Sequence, residues 1–550
     1  MPNLHFSNAT WRAAMLAAML AVCTRAQPRA TPSITYRDLL DGLKNPSRWL
    51  TYSGDYTGRQ HSPLTQLTPL NVKGLAPQWT FQTDMPVAGR GFETHSLLLD
   101  GVLYVTGIND HAWALDAYTG RPIWHYRREL PPKLTYCCGP VNRGFGILGD
   151  RLFKVTLDAH LIALDRRTGA VMFDVPMADY RQGYAATLAP LVVKDKVIVG
   201  VAGGEFPTRC FLDAYDATTG ERVWRFYTVP APGEPGSESW PSQDVMTRGG
   251  GSIWVTGSYD PELNLIYYGT GNPNPDFYGD DRKGDNLYTD TLLAVDADTG
   301  KLKWHYQFTP HDTHDWDSTQ VPVLADVTLG GQRRKVVMLA NRNGFLYSLD
   351  RATGKLLLAK PFSKAATVWA KEIGADGRPV VINESGTADA CLGDQRGSTN
   401  FMPPSYDPAL NLFFVNTRET CAVYVPIKPA PGSIKPGERL MGGALQRYGD
   451  PYGAIRALDA STGERKWEFR YTTYSMAGVL STASGLVFTG DSEGNFIALD
   501  SKTGKSLWHY QMGGPIWGAA PTTYMLGGRQ WVLAPSGTTL VAFALPGAAQ

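Results

Sequence analysis

A single phrase recurs along the chain: a short apolar run, Asp, two residues, Thr-Gly, three residues and a tryptophan. The copies are WALDAYTGRPIWHY, IALDRRTGAVMFDV, LDAYDATTGERVWRFY, LAVDADTGKLKWHY, YSLDRATGKLLLAK, RALDASTGERKWEF and IALDSKTGKSLWHY. Their Thr-Gly pairs end at Gly120, Gly169, Gly220, Gly300, Gly354, Gly463 and Gly504. The usual spacing is about 50 residues, a period typical of propellers and solenoids. The apolar run before Asp reads as a strand. Asp, Thr and Gly make a tight turn in which Gly is free to take positive φ. The run carrying Trp124, Trp224, Trp304, Trp467 or Trp508 is the next strand, with Phe173 and Leu358 filling the tryptophan position in two copies. Two further strand-like runs lie upstream, as in SLLLD and GVLYVTG at 96–107, which makes four strands per unit.

The pattern predicts an all-β fold, an eight-bladed β-propeller of four-stranded antiparallel blades. The eighth blade is split. Its inner strands are PTTYML, RQWVLAPSG and TLVAFALP at the C-terminus, and its outer strand is the N-terminal APQWTFQT (76–83). That pairing closes the ring and removes its free edges. Seven blades with an appendage is the alternative. The repeated tryptophans read as packing between blades, which says nothing of function. Between Gly354 and Gly463 lie Pro- and Gly-rich insertions, 364–398 and 425–450, expected as loops on one face.

At 550 residues the chain is too long for one ordinary domain unless that domain is a repeat architecture. The propeller is assigned to 76–550, preceded by an N-terminal extension over 27–75. A formal net charge of +1 without basic stripes argues against a nucleic-acid partner. Near the N-terminus Arg12 precedes an apolar stretch, Ala13 to Val22, followed by small residues. This predicts a secretory signal peptide over 1–26. The run of about ten apolar residues is too short to cross a bilayer. Bulky Val22 argues against lipidation at Cys23. No membrane span is expected, and the location is periplasmic or secreted, where disulfides persist. The six cysteines become five without Cys23, so at least one is unpaired. No C-x-x-C-H stretch exists for covalent haem.

The positions that break the repeat carry the chemistry. Cys137 and Cys138 are adjacent in CCGPVNRG. A trans peptide holds neighbouring Cα atoms about 3.8 Å apart, below the usual disulfide range of about 4.4–6.8 Å, so they form a small rigid ring or stay as two thiols. Trp254 lies in GGGSIWVTGSYDPELN with no Thr-Gly turn ahead of it. Glu205 lies in GGEFPTRC and Asn272 in GTGNPNP; each reads equally as a loop or turn residue. In FTPHDTHDWDSTQ, Asp312, Asp315 and Asp317 crowd together with His311 and His314. Such carboxylates repel unless a cation or a proton relieves them. Asp315 and Asp317, two apart, share a face in extended backbone. Oxygen donors suit a hard ion better than a transition metal held by the histidines.

Repeats and interruptions together resemble the quinoprotein alcohol dehydrogenase family, from about residue 40 to the C-terminus. The resemblance implies pyrroloquinoline quinone (PQQ) and one metal ion as cofactors. It implies a vicinal disulfide, Cys137–Cys138, over one face of the quinone and Trp254 under the other. Arg143 and Thr187 would bind quinone carboxylates, with Glu93 and Asn400 as further polar contacts. Arg342 would stand near the reactive quinone oxygen. The metal ligands would be Glu205, Asn272, Asp315 and Asp317, with Asp315 also the catalytic base. Asp317 matches the carboxylate that marks family members using a lanthanide in preference to calcium. The family's serine three residues before the metal-binding Glu is Ala202 here, and Cys391 and Cys421 resemble a second disulfide pair, leaving Cys210 unpaired. The implied reaction oxidises a small-molecule alcohol by hydride transfer to the quinone, with electrons passing to a soluble cytochrome c. The alternatives are a dehydrogenase of sugars, polyols or polymeric alcohols, and a non-catalytic propeller scaffold.

Overall fold

The computed structural model describes residues 33–85, 91–387 and 390–547; the signal peptide predicted over 1–26 lies outside the described residues. The fold is an all-β propeller. Among the described residues, eight sheets of four or five strands follow one another, beginning at Leu97, Gly146, Leu191, Ser258, Val323, Ser405, Leu480 and Thr522. Apart from short added edge strands, the first seven are four-strand antiparallel meanders in chain order. In the last, Thr522–Leu526, Arg529–Ser536 and Thr539–Ala544 are joined by Ala76–Gln82, which pairs antiparallel with Thr539–Ala544.

The repeat phrase has two functions in this structure. Within a sheet it builds the turn between the third and fourth strands. Asp116 Oδ1 accepts from the backbone N–H of Tyr118 and Thr119 and from Thr119 Oγ1, and Asp165, Asp296, Asp350 and Asp500 repeat the pattern. The turn glycines sit at φ between +70° and +75°, where an L side chain is strained. Between sheets, the same glycine is the floor on which the preceding tryptophan lies. A methyl group on Gly120, Gly169, Gly300, Gly354 or Gly504 would stand 2.5–2.8 Å from the ring of Trp79, Trp124, Trp224, Trp304 or Trp467. Each of these indoles donates to the carbonyl after the next turn's Asp, at 2.9–3.2 Å. Phe173 lies on Gly220 in the same way, without a hydrogen bond to give, and Leu358 with Lys360 meets Gly463.

Short segments of residues 34–75 join the sheets. A helix, Tyr36–Asp41, is capped by Thr35. Arg48–Trp49 pairs with Leu98–Leu99 on the buried edge of the first sheet. His61–Ser62 pairs in parallel with Ser481–Thr482. The insertions depart from the expectation of loops. The 364–398 segment forms a helix, Lys364–Trp369, and a ribbon of Ala370–Ile373 with Pro379–Val381. The 425–450 segment extends a hairpin, Leu412–Pro426 with Gly443–Asp459, well beyond its sheet. Backbone groups that a loop would leave unpaired are thereby paired within the insertions themselves.

In such a meander, the segment entering the first strand and the turn after the second strand lie at one end of the sheet. The Asp-Thr-Gly turns lie at the other. The repeat therefore shapes the face opposite the site described next.

Candidate active site

A cavity of about 250 Å³ opens on the first of these faces. Every residue lining it comes from a segment entering a first strand or from a turn after a second strand. Cys137, Cys138 and Arg143 precede Gly146; Thr187 precedes Leu191; Trp254 precedes Ser258; Asp315 and Asp317 precede Val323; Asn400 precedes Ser405. Glu205 and Arg342 follow second strands, Lys196–Gly200 and Gln332–Ala340.

Cys137 and Cys138 are joined by a disulfide, with Cα atoms 3.7 Å apart. Glu205 Oε1 touches both sulfurs, at 2.6 and 3.6 Å. A disulfide sulfur carries no thiolate charge, so this cluster is not a soft-metal site. Trp254 is half-buried, and its indole donates to Asp317 Oδ2 at 3.1 Å. The Arg143 guanidinium lies 4.7 Å from the Trp254 ring and 4.6 Å from Phe401. It donates to Thr187 Oγ1 at 2.6 Å and pairs with buried Glu93 at 2.8 Å. Glu93 thus stands behind Arg143 and does not line the cavity.

Arg342 is the hub of the acidic wall. It pairs with Asp317 Oδ2 at 2.6 Å and Asp315 Oδ1 at 3.3 Å, and donates to Asn400 Oδ1 at 3.2 Å and Gln395 O at 3.0 Å. Asp315 reaches the cavity from a backbone at φ +62°. Asp317 Oδ1 accepts from Asn272 N–H at 2.8 Å. Asn272 is buried outside the lining residues, and its side-chain N–H donates to Asp276 Oδ1 at 3.0 Å. Asp312 turns away. It accepts from the N–H of His314 and Trp316 and from the His314 ring, holding the loop that aims Asp315 and Asp317. His314 stacks on Trp316 at 4.2 Å and also bonds Glu384 O, while His311 bonds Gly284 O at 2.9 Å. Both rings are committed elsewhere.

Burial raises Asp315 well above the carboxylate range; Arg342 opposes this, while Asp317 and Glu205 add to it. Burial likewise raises Asp317 against Arg342, and raises Glu205 with help from Asp317. Two further acids share the region. Asp276 and Asp290 are fully buried and pushed well above their ordinary value by burial and by neighbouring carboxylates. Asp276 Oδ2 and both oxygens of Asp290 lack a hydrogen-bond partner among the described residues. Five carboxylates shifted in one direction are what a cation among them would relieve. Oxygen-only donors fit a hard ion. Asp276 directly follows the phrase GTGNPNP that holds Asn272 and could have been read there; Asp290 has no sequence signal.

Cys391 and Cys421 form the second disulfide, and Cys210 is buried and free. Ala202 lines the cavity, so no hydroxyl is offered at that position. Sequence reasoning missed Gln395, Arg396, Phe401, Arg439, Met476 and Trp517 on the cavity wall. Phe401 directly follows the selected Asn400, whereas Arg439 sits in an insertion with no motif.

A family model described as glucose/ethanol/alcohol dehydrogenase, beta-propeller domain, matches residues 49–361. A second, outer membrane protein assembly factor BamB, matches residues 450–547. Quinoprotein alcohol dehydrogenase PedH of Pseudomonas putida is 36% identical, covering 92% of this chain and 89% of that protein. A lanthanide-dependent methanol dehydrogenase of Methylorubrum extorquens is 34% identical, covering 84% and 82%. A solved structure of a europium-containing methanol dehydrogenase superposes with a TM-score of 0.85 at 32% identity, covering 92% of this chain and 100% of that one.

Proposed function

The chain belongs to the PQQ-dependent alcohol dehydrogenase family, oxidoreductases acting on alcohols, and we propose that it oxidises a small-molecule alcohol to an aldehyde or ketone in the cavity described above. The observation that carries this reading is the convergence there of the Cys137–Cys138 disulfide, Trp254, Arg143 and the Glu205–Asp315–Asp317 carboxylates around Arg342. We read the eight sheets as blades of one ring closed by the strand Ala76–Gln82. The ring would bring loops distant in sequence to one centre.

The residues present fit both cofactors. The disulfide and the Trp254 indole offer flat apolar faces, and Arg143 with Thr187 offers a carboxylate site. Glu205, Asn272, Asp315 and Asp317 would hold the metal, and Asp317 is our reason for assigning a lanthanide in preference to calcium. When bound, PQQ supplies the acceptor for the carbinol hydride and the metal supplies Lewis acidity. Asp315 takes the hydroxyl proton. Arg342, already donating to both aspartates and to Asn400, holds its positive charge where negative charge develops. We assign the electron acceptor to a soluble cytochrome c, and the location to the periplasm from the apolar stretch Ala13 to Val22 that follows Arg12.

The test is purified protein supplied with PQQ, calcium or lanthanum, an artificial electron acceptor and an alcohol panel. Alcohol-dependent dye reduction is expected. None across the panel, with quinone demonstrably bound, overturns the reading.

A further inference from the structure

Four arginines line the cavity, and they fall into two pairs. Arg143 and Arg342 are matched by carboxylates, Glu93 for the first and Asp315 with Asp317 for the second. Arg396 and Arg439 are not. The Arg396 guanidinium lies 5.6 Å from the Trp517 ring centre. Among the described residues the Arg439 guanidinium contacts sulfur, at 4.0 Å from Cys137 Sγ and 3.6 Å from Met441 Sδ, and its charge acts on Glu205 and Asp276 from beyond ion-pair distance. Neither forms an ion pair among the described residues, and Arg439 is exposed while Arg396 is half-buried. Their backbones are nevertheless held. Leu440 N–H donates to Glu205 O at 2.8 Å, which ties Arg439 beside the acidic wall. Arg396 N–H donates to Asp394 Oδ1 at 3.1 Å, and Arg396 O accepts from Asn400 at 3.0 Å. Two anchored guanidinium groups with soft partners thus line a site whose other two arginines are already paired with carboxylates. Planar guanidinium forks recognise carboxylates bidentately.

Resting on the dehydrogenase reading above, we propose that Arg396 and Arg439 bind the carboxylate of the substrate, which is an ω-hydroxycarboxylate. Its carbinol end would reach Asp315 while its anionic end remains at these two guanidinium groups. The carbinol would give its hydroxyl proton to Asp315 and its hydride to PQQ, the two-electron acceptor when bound, leaving the aldehyde acid with its carboxylate unchanged.

The experiment compares kcat/KM for 4-hydroxybutanoate and 6-hydroxyhexanoate with butan-1-ol and hexan-1-ol on the PQQ- and metal-loaded enzyme. At low salt at least one hydroxy acid is expected to exceed its neutral partner about tenfold, since one charge-assisted contact is worth that much. High salt should erode the ratio. Arg439→Gln and Arg396→Gln should each lower the ratio toward one, and Arg439→Lys should retain part of it. A preference for the neutral alcohols overturns the proposal, as does a ratio that the variants leave unchanged. If both activities fall together with loss of bound-quinone absorbance, the arginines serve the cofactor and the proposal is again overturned. Calorimetric titration of the loaded protein with butanoate needs no turnover. Binding that the double variant abolishes supports the site, and absent binding to the unaltered protein overturns it. Should no alcohol be oxidised at all, the dehydrogenase reading fails and the calorimetry alone decides the site.

Discussion

Asp315 and Asp317 stand two residues apart on one wall, and their surroundings separate their roles. Asp317 accepts from Arg342, Trp254 and Asn272 N–H, which fix its carboxylate in place and leave lone pairs for an ion. Asp315 has a single side-chain guanidinium contact at 3.3 Å and lines the cavity. Asp315→Asn should therefore lower kcat by about 10²-fold or more with little change in bound quinone, measured by steady-state kinetics beside absorbance. Asp317→Ala should abolish lanthanum-dependent activity while sparing more of the calcium-dependent rate; equal retention with both metals would remove the metal assignment. Behind the site, Asp394 is buried, yet Arg418 and Arg447 override that burial and hold its carboxyl at about 2. A lowered folded-state value stabilises fully above the unfolded value near 4 and is lost as pH falls toward 2. The gap in stability between the wild type and Asp394→Asn should thus be widest near neutrality and shrink by about 2 kcal/mol between pH 4 and 2, followed by acid denaturation. The acid-rich phrase of 312–317 was legible as a cluster, but not the division of labour within it. Asp312 turns out to be a loop clamp, because its side chain satisfies the N–H groups of His314 and Trp316 before it can face a metal.

A sheet of this protein is a four-strand meander whose last turn also receives its neighbour's tryptophan. The turn glycine is thus constrained twice, by φ and by contact. At Gly300 the φ is +70° and the would-be methyl carbon stands 2.6 Å from Trp224. Gly300→Ala should destabilise by about 1–3 kcal/mol, seen as a lowered thermal midpoint with unchanged quinone binding. Trp224→Phe keeps a six-membered ring but loses the pyrrole half of the indole with its 3.2 Å bond to Ala297 O, and should cost about 1–3 kcal/mol. The Phe173 sheet already lives without that bond. Strand, turn and inter-sheet contact were readable here because all three are encoded within about fifteen contiguous residues. The insertions were not: the hairpin beyond Glu419 is set by pairs such as Cys421 with Tyr448 that lie far apart in the chain, and the helix Lys364–Trp369 is a single short turn of chain outside the repeat.

Across the whole molecule, the early segment Ala76–Gln82 and the late segment Thr539–Ala544 meet in one sheet. Trp79 brings the inter-sheet contact of the repeat to Gly120, although its own segment carries no Thr-Gly turn. Trp79→Ala should cost about 3–5 kcal/mol and promote association through the exposed edge of Thr539–Ala544, measured by thermal melts and light scattering. The period of the repeat, its turn chemistry and the two-ended sheet were determined by the sequence itself, because each depends on neighbours a few residues apart or on a pattern that visibly lacks one member. Which residues share a cavity was decided only by the tertiary structure. The site is assembled from segments that enter first strands or leave second strands, dozens to hundreds of residues apart, on the face away from the repeated turns. Buried Asp276 and Asp290 and the arginines that line it acquire their charge environment from that convergence, and charge at close range depends on distance through space rather than along the chain.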